Sequence, residues 1–395
     1  MPGTVAELPL TGVSVVEMSR GVAAAYAGRL LATLGAETIL VEPPEGSALR
    51  REPPLLPPSH QSSALFAYLA CGKKSVICEE TPAGRAELSA LLAGADILVH
   101  DLDTSQRTSL GLDEDTVRRR YPNLIDTSVL PFGAFGPKAG WHGEEINLIH
   151  ASGEGFLLPN GLSAELFPDR PPLKIFGHFA CYQGGVVAAL GALCALASGE
   201  RKGQRVDVSV QDAALAVGAF ALQRLGDGSL EHRHTRSFKY GGVLQCADGY
   251  VELLTLEDRQ WRGLVKLMGS PEWALDPALS DSLERSRRGT EINRAIRSWA
   301  RLERTADVVA RAQALGVPMA KYSNPAEVVF DPHEGARGLF EPIEIPEAGR
   351  LPVLVAPFHV DGAPLALGGG PPRLGQHQHL LQAQRRRRVA TAEAT

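Results

Sequence analysis

Cysteine, histidine and clustered arginine are the residue types in this chain whose chemistry depends most on spacing. The five cysteines, Cys71, Cys78, Cys181, Cys194 and Cys246, are odd in number and include no C-x-x-C pair. That pattern argues against a disulfide framework or a zinc site and for a reducing compartment. His232 with His234, and His377 with His379, form H-x-H pairs that lack a third ligand at metal-like spacing, so no metal is expected. The one strongly basic run, Arg385 to Arg388, reads as a solvated tail. A net charge of −5, with 22 % charged residues over 395, points to neither nucleic acid nor a membrane surface. The start has no basic stretch followed by an apolar core, and no apolar stretch is expected to reach membrane length uninterrupted. The expectation is a soluble, cytoplasmic protein.

The elements that would position a site begin with Val13–Glu17 as a short strand, 22–34 as a helix ending at Gly35, and Thr38–Val41 as a second strand stopped by Pro43-Pro44. Strand, crossover helix and strand within about thirty residues make a βαβ unit, hence a parallel sheet covered by helices. The pattern recurs: strands at Ser75–Cys78, Asp96–Val99 and 124–129, with a helix over 82–93 opening on Thr81-Pro82. No G-x-G-x-x-G follows the first strand, so this is not a standard dinucleotide-binding unit. The proline-rich 45–60 reads as a surface loop. Residues 184–198 predict a helix of small apolar residues suited to close packing, followed by a strand at 206–210 and a helix over 211–225. After the turn at Gly226-Asp227-Gly228, residues 241–316 predict a smaller mixed segment with amphipathic helices at 258–268 and 290–315. The stretch from 340 is rich in Pro and Gly. At 44 % hydrophobic, the chain can bury a sizeable core.

Several strings, taken in order, resemble the class III CoA-transferase family, which includes formyl-CoA transferase, carnitine-related CoA-transferases and α-methylacyl-CoA racemase. Leu10–Glu17 and Leu34-Gly35-Ala36-Glu37 through Val41-Glu42-Pro43 resemble its N-terminal βαβ unit. Gly72–Val76 is similar to its G-K-R-S-V element, Ala95–Val99 to A-D-V-L-V, and Phe132-Gly133 with Gly136-Pro137 to G-F-G-x-x-G-P. Gly203–Ser209 with Gln211-Asp212-Ala213 resembles G-Q-x-V-D-V-S-x-x-D-A. Gly316-Val317-Pro318, Glu327-Val328 to Asp331-Pro332, and Leu374–His377 resemble its late loop, strand and closing L-G-E-H.

The resemblance implies an α/β fold. Residues 1–224 would form the N-terminal part of a large parallel-sheet domain, and 225–330 a small α+β domain. Residues 331–384 would return to complete the large domain, and 385–395 would be a disordered basic tail. It also implies an interlocked, ring-like dimer with CoA bound on the large domain near the interface. CoA or acyl-CoA and a carboxylic acid would be substrates, and no permanently bound cofactor is implied.

CoA transfer between carboxylic acids needs a carboxylate nucleophile, which attacks the thioester, passes through a mixed anhydride and becomes an enzyme-bound thioester. The family's aspartate lies in a G-D element; the matching pair here is Gly177-His178. An imidazole can attack an acyl group but gives neither an anhydride nor a stable CoA thioester. The nearest carboxylates in sequence are Asp169, Glu165 and Glu154, with Asp169 in a turn. The racemase branch carries G-H-D-I-N, matched here by Gly143-Glu144-Glu145-Ile146-Asn147, so the His position holds Glu144. Glu144 and His178 are therefore the candidate catalytic groups, an acid–base pair with its chemistries exchanged. Ser109 and Leu40 stand where the family often has basic residues, and Ala23-Ala24-Ala25 where it has A-G-P. Lys73, Lys74, Arg50 and Lys138 are the retained cations for CoA phosphates. Three functions follow. The chain is a transferase subunit (EC 2.8.3 type) that lacks its own nucleophile and works beside a homologous active chain. Alternatively it is an acyl-CoA racemase using Glu144 and His178, or a non-catalytic scaffold.

Overall fold

The computed structural model describes residues 8–158, 169–171, 173–199, 203–218 and 240–381. The chain divides into two compact units: residues 1–155, 174–223 and 331–395 form one, and 156–173 with 224–330 the other.

The first unit is built on a six-stranded parallel sheet in the order β5-β2-β1-β6-β7-β8. Its strands are β1 (Ser14–Met18), β2 (Glu37–Glu42), β5 (Lys74–Ile77), β6 (Ile97–His100), β7 (Ile125–Leu130) and β8 (Arg205–Ser209). The centres of β2 (Ile39-Leu40-Val41) and β6 (Ile97-Leu98-Val99) read as apolar runs because both faces are covered, while Glu17, Asp126 and Asp207 interrupt β1, β7 and β8. Alternate residues point to opposite faces. Val15, Ile97 and Val129 pack on one side against helix α1 (Val22–Thr33) and the long helix α7 (Phe179–Ala197). Val16, Leu98 and Val76 pack on the other side against α3 (Pro82–Leu92) and α5 (Glu114–Arg120).

The long helix begins five residues earlier than the expected 184. Gly184 and Gly185 do not break it; they are contact points. A Cβ on Gly185 would lie 2.7 Å from the Ala23 carbonyl oxygen, and one on Gly184 would lie 2.8 Å from Val210. Close packing repays glycine's helix penalty of roughly 1 kcal/mol. The helix is also 19 residues long, long and apolar enough by length and composition to cross a membrane. The expectation concerned an uninterrupted apolar stretch, and in this helix Gln183 interrupts the run. Ala180, Ala188, Ala189, Ala192 and Ala195 bury one face in the core.

Residues 45–60 are not simply a loop. They carry a 3₁₀ turn (Ala48–Arg51) and the strand β3 (Leu55–Leu56), which pairs with β4 (Ser62–Ser63). The late segment forms a hairpin of β12 (Phe340–Ile345) and β13 (Gly349–Leu354) against α2 (Ala64–Ala70). It then runs along the outer edge of the sheet. Gln378 bonds both the N–H and the C=O of Ile77, and His377 exchanges hydrogen bonds with Ser75.

In the second unit, β9 (Gly242–Gln245), β10 (Tyr250–Leu253) and β11 (Met319–Lys321) form an antiparallel sheet in the order β11-β10-β9. Trp261 and Leu264 of α9 (Asp258–Leu267) pack on it with Ile292 and Ile296 of α11 (Gly289–Ala300) and Val308 of α12 (Thr305–Ala314). The expected single stretch over 290–315 is thus two helices. The break is pinned to the β9–β10 turn, where the Ala247 N–H donates to the Glu303 oxygen (2.9 Å) and the Thr305 N–H to the Asp248 carboxylate (2.8 Å). The last part of the expected 211–225 helix lies outside the described residues, as do Arg385 to Arg388, His232 and His234.

Candidate active site

His178 is the N-cap of α7, with φ −116 and ψ 52, preceded by Gly177 at φ +86. Its ring is partly buried and stands edge-on to Tyr182, centroids 6.5 Å apart. The carboxylate that reaches this helix start is Glu145, not Glu144. Glu145 accepts from the Ala180 N–H (2.8 Å) and the Cys181 N–H (3.1 Å). It is buried and occupies the site where the unpaired N–H groups and dipole of a helix start favour an anion. Glu144 is exposed at the start of α6 (Glu145–Ala151), and its N–H donates to the Asn147 side chain (2.9 Å). Among the described residues, Glu144 and His178 share no hydrogen bond or ion pair. Burial, with the neighbouring Glu145 carboxylate, pushes the Cys181 thiol far up and keeps it protonated. Tyr182 packs against Tyr26 and Tyr68, and burial pushes its hydroxyl up to about 12.

The four cations proposed for CoA phosphates have different surroundings. Lys73 is buried, its Nζ 2.6 Å from Glu17 and donating to the Ala25 oxygen at 2.7 Å. Glu17 also accepts from Ser19 (2.6 Å), and Gly28 leaves it room, since a Cβ there would fall 1.7 Å from its oxygen. Burial raises the Glu17 carboxyl and lowers the Lys73 ammonium, both toward neutrality, and the charge of each opposes that shift in the other. Arg50 grips Glu42 through two bonds of 2.7 Å and lies 4.2 Å over the Phe66 ring. Burial opposes ionisation of Glu42, but bonds from Arg50, Ser47 and Ser75 hold its carboxyl below the ordinary value. Lys74 pairs with Glu37 at the surface. Lys138 donates to Gln211 (3.2 Å) beside the rings of Phe132 and Trp141. Leu40 is buried in the core, Asp169 is exposed in the second unit, and Glu165 lies outside the described residues. Glu154 is partly buried, and burial raises its carboxyl.

A crevice of about 170 Å³ opens beyond the carboxyl ends of β1, β2 and β6, lined by Met18, Val41, Leu102 and Ser109 among others. The sheet order reverses between β1 and β6, and parallel α/β sheets bind ligands outside the strand ends at such switch points. Asp101, just past β6, holds this place together. It accepts from the N–H groups of Arg20 (2.9 Å) and Gly21 (2.6 Å) at the start of α1, and burial pushes its carboxyl up to about 6. Beneath it, His100 Nε2 lies 3.1 Å from Asp126, whose other oxygen accepts from Arg107 at 2.6 Å. Burial pushes the His100 imidazole below its ordinary value. Its Nδ1 accepts from the Leu102 N–H, which assigns the Nε2–H tautomer donating to Asp126. The Phe132-Gly133 loop is anchored by Asp207, which accepts from the Ala134 N–H and Ser128 Oγ. Glu145, Asp101, Glu17 and the His100–Asp126–Arg107 cluster were not singled out from sequence. For Glu145 a signal existed, because it shares a helix face with buried Leu148 and Ile149.

The family model described as CoA-transferase family III matches residues 10–378. A succinate–glutarate CoA-transferase of Agrobacterium fabrum is 28 % identical over 389 residues, covering 95 % of each chain. A succinyl-CoA:(R)-benzylsuccinate CoA-transferase subunit of Thauera aromatica is 29 % identical, covering 92 % of this chain and 91 % of its own. Among solved structures, a CAIB/BAIF family protein from Brucella suis is similar with a TM-score of 0.84 at 28 % identity, over 96 % of this chain and 99 % of that one.

Proposed function

The chain belongs to CoA-transferase family III, and from that premise we propose that it serves CoA transfer between carboxylic acids as a subunit without its own nucleophile, beside a homologous chain that has one. The observation carrying this reading is the start of α7. The residue there is His178, whose imidazole can form neither a mixed carboxylic anhydride nor an enzyme-bound CoA thioester. The neighbouring Glu145 has both oxygens committed to backbone N–H groups, and the Cys181 thiol is held protonated. Catalysis then falls to an aspartate on the partner, while this chain shapes the assembly and contributes a CoA crevice.

An interlocked pairing, with a homologous chain or with a second copy, is supported by the outer face of α7. Phe179, Val186 and Leu190 are exposed there, opposite the buried alanine face. A relative named as a subunit fits the same picture. The free state of all five cysteines supports a cytoplasmic setting. The relatives' names point to a succinyl-CoA donor and a dicarboxylate acceptor.

The test is transfer from succinyl-CoA to glutarate, followed by chromatography of the CoA esters. The isolated chain is expected to show none, and His178→Asp or a co-expressed homologue carrying Asp in the G-D element is expected to restore it. Robust turnover by the isolated wild-type chain overturns the proposal.

A further inference from the structure

The crevice at the β1/β6 switch point has apolar walls but a mouth of unusual charge. Its cations are Arg20 and Arg85, both exposed. Glu45, Glu79 and Glu80, also exposed, line the same opening. Neither arginine is a fixed anion clamp. The Arg20 charge acts on the Asp101 and Asp103 carboxyls, and Arg85 donates to the Glu80 carbonyl at 3.2 Å. Arg50, partly buried, is spent on Glu42. Ser109, on the rim, adds only a hydroxyl, and that already donates to the Gln106 oxygen. Strong phosphate recognition needs preorganised cations with bidentate geometry. Here a dianion would meet three carboxylates against two exposed arginines, in solvent that screens both.

Resting on the CoA reading above, we infer that this crevice takes the adenosine end of CoA chiefly as a neutral nucleoside. The 3′-phosphate adds little, so the chain accepts dephospho-CoA almost as well as CoA. The volume suits a planar base, the apolar walls supply its stacking surface, and the glutamates offer acceptors to an exocyclic amine.

Calorimetric titration of the full chain with CoA and with dephospho-CoA tests this. The two dissociation constants are expected to differ by less than about tenfold. Ser109→Arg, at an exposed position, is expected to tighten CoA by about tenfold or more and leave dephospho-CoA unchanged. A wild-type preference for CoA of tenfold or more overturns the inference, as does a Ser109→Arg variant that tightens both ligands equally. Binding of neither ligand overturns the CoA reading itself, and the inference with it.

Discussion

Glu145→Gln tests the reading of α7 most directly. The carboxylate makes two hydrogen bonds, to the Ala180 and Cys181 N–H groups, from a buried position. A glutamine keeps one acceptor but turns an NH₂ toward the other N–H, setting donor against donor. Hydrogen bonds to charged groups contribute about 1.5–3 kcal/mol each, and a charge at a helix start adds about 0.3–1 kcal/mol. Losing one such bond and the charge costs about 2–3 kcal/mol of local stability. That is about a 30- to 150-fold loss of protection for the first-turn amides in hydrogen exchange, at roughly 1.4 kcal/mol per factor of ten. The effect should fade along α7 and leave α9 and α11 untouched. Glu145→Ala should behave similarly, and 100 mM formate, binding the vacated N–H pair, should recover about three- to fivefold of the protection. The reasoning is refuted if the Ala180 and Cys181 amides in Glu145→Gln stay within about threefold of wild type.

Two further predictions follow from buried charge. Lys73→Met should lower stability by about 3–5 kcal/mol by stranding Glu17, whereas Glu17→Gln with Lys73→Met should recover most of the loss, as read from urea midpoints. Asp101, with its carboxyl raised to about 6, binds its proton more tightly in the folded state. Its contribution is therefore full below the ordinary carboxylate value and is lost as pH rises through about 6. Asp101→Asn should flatten the stability profile between about pH 4 and 7, and an unchanged slope would count against that assignment.

The sheet was legible because parallel strands covered on both faces leave apolar runs that Gly35 and Pro82 punctuate cleanly. The start of α7 was misread at Gly184 and Gly185, since local propensity carries no record of Val210 and the helix α1, which need them small. The site was less legible still. Two adjacent glutamates at 144 and 145 differ only in helix phase, and it is the phase that sends one to solvent and the other to Ala180. Lys73 sat in a string similar to a known motif, yet its partner Glu17 lies on β1 and the room for both comes from Gly28. No local pattern joins three such positions. The 45–60 stretch illustrates the same limit, because its turn is organised by Glu42, a residue of the preceding strand.

The late segment that lies along β5 bears on how the chain is made. A parallel sheet's outer strand presents unpaired N–H and C=O groups, and here the outward backbone groups of Ser75 and Ile77 are satisfied by His377 and Gln378. Some three hundred residues of synthesis separate the two. A nascent chain emerging from the ribosome therefore carries an open, adhesive strand until residues 377 and 378 appear. The intervening second unit, whose three strands and helices are close in sequence, can mature during that wait. Chaperone demand and yield in cells should accordingly track the stretch from Gly375 to Gln378 more than any position in the crevice.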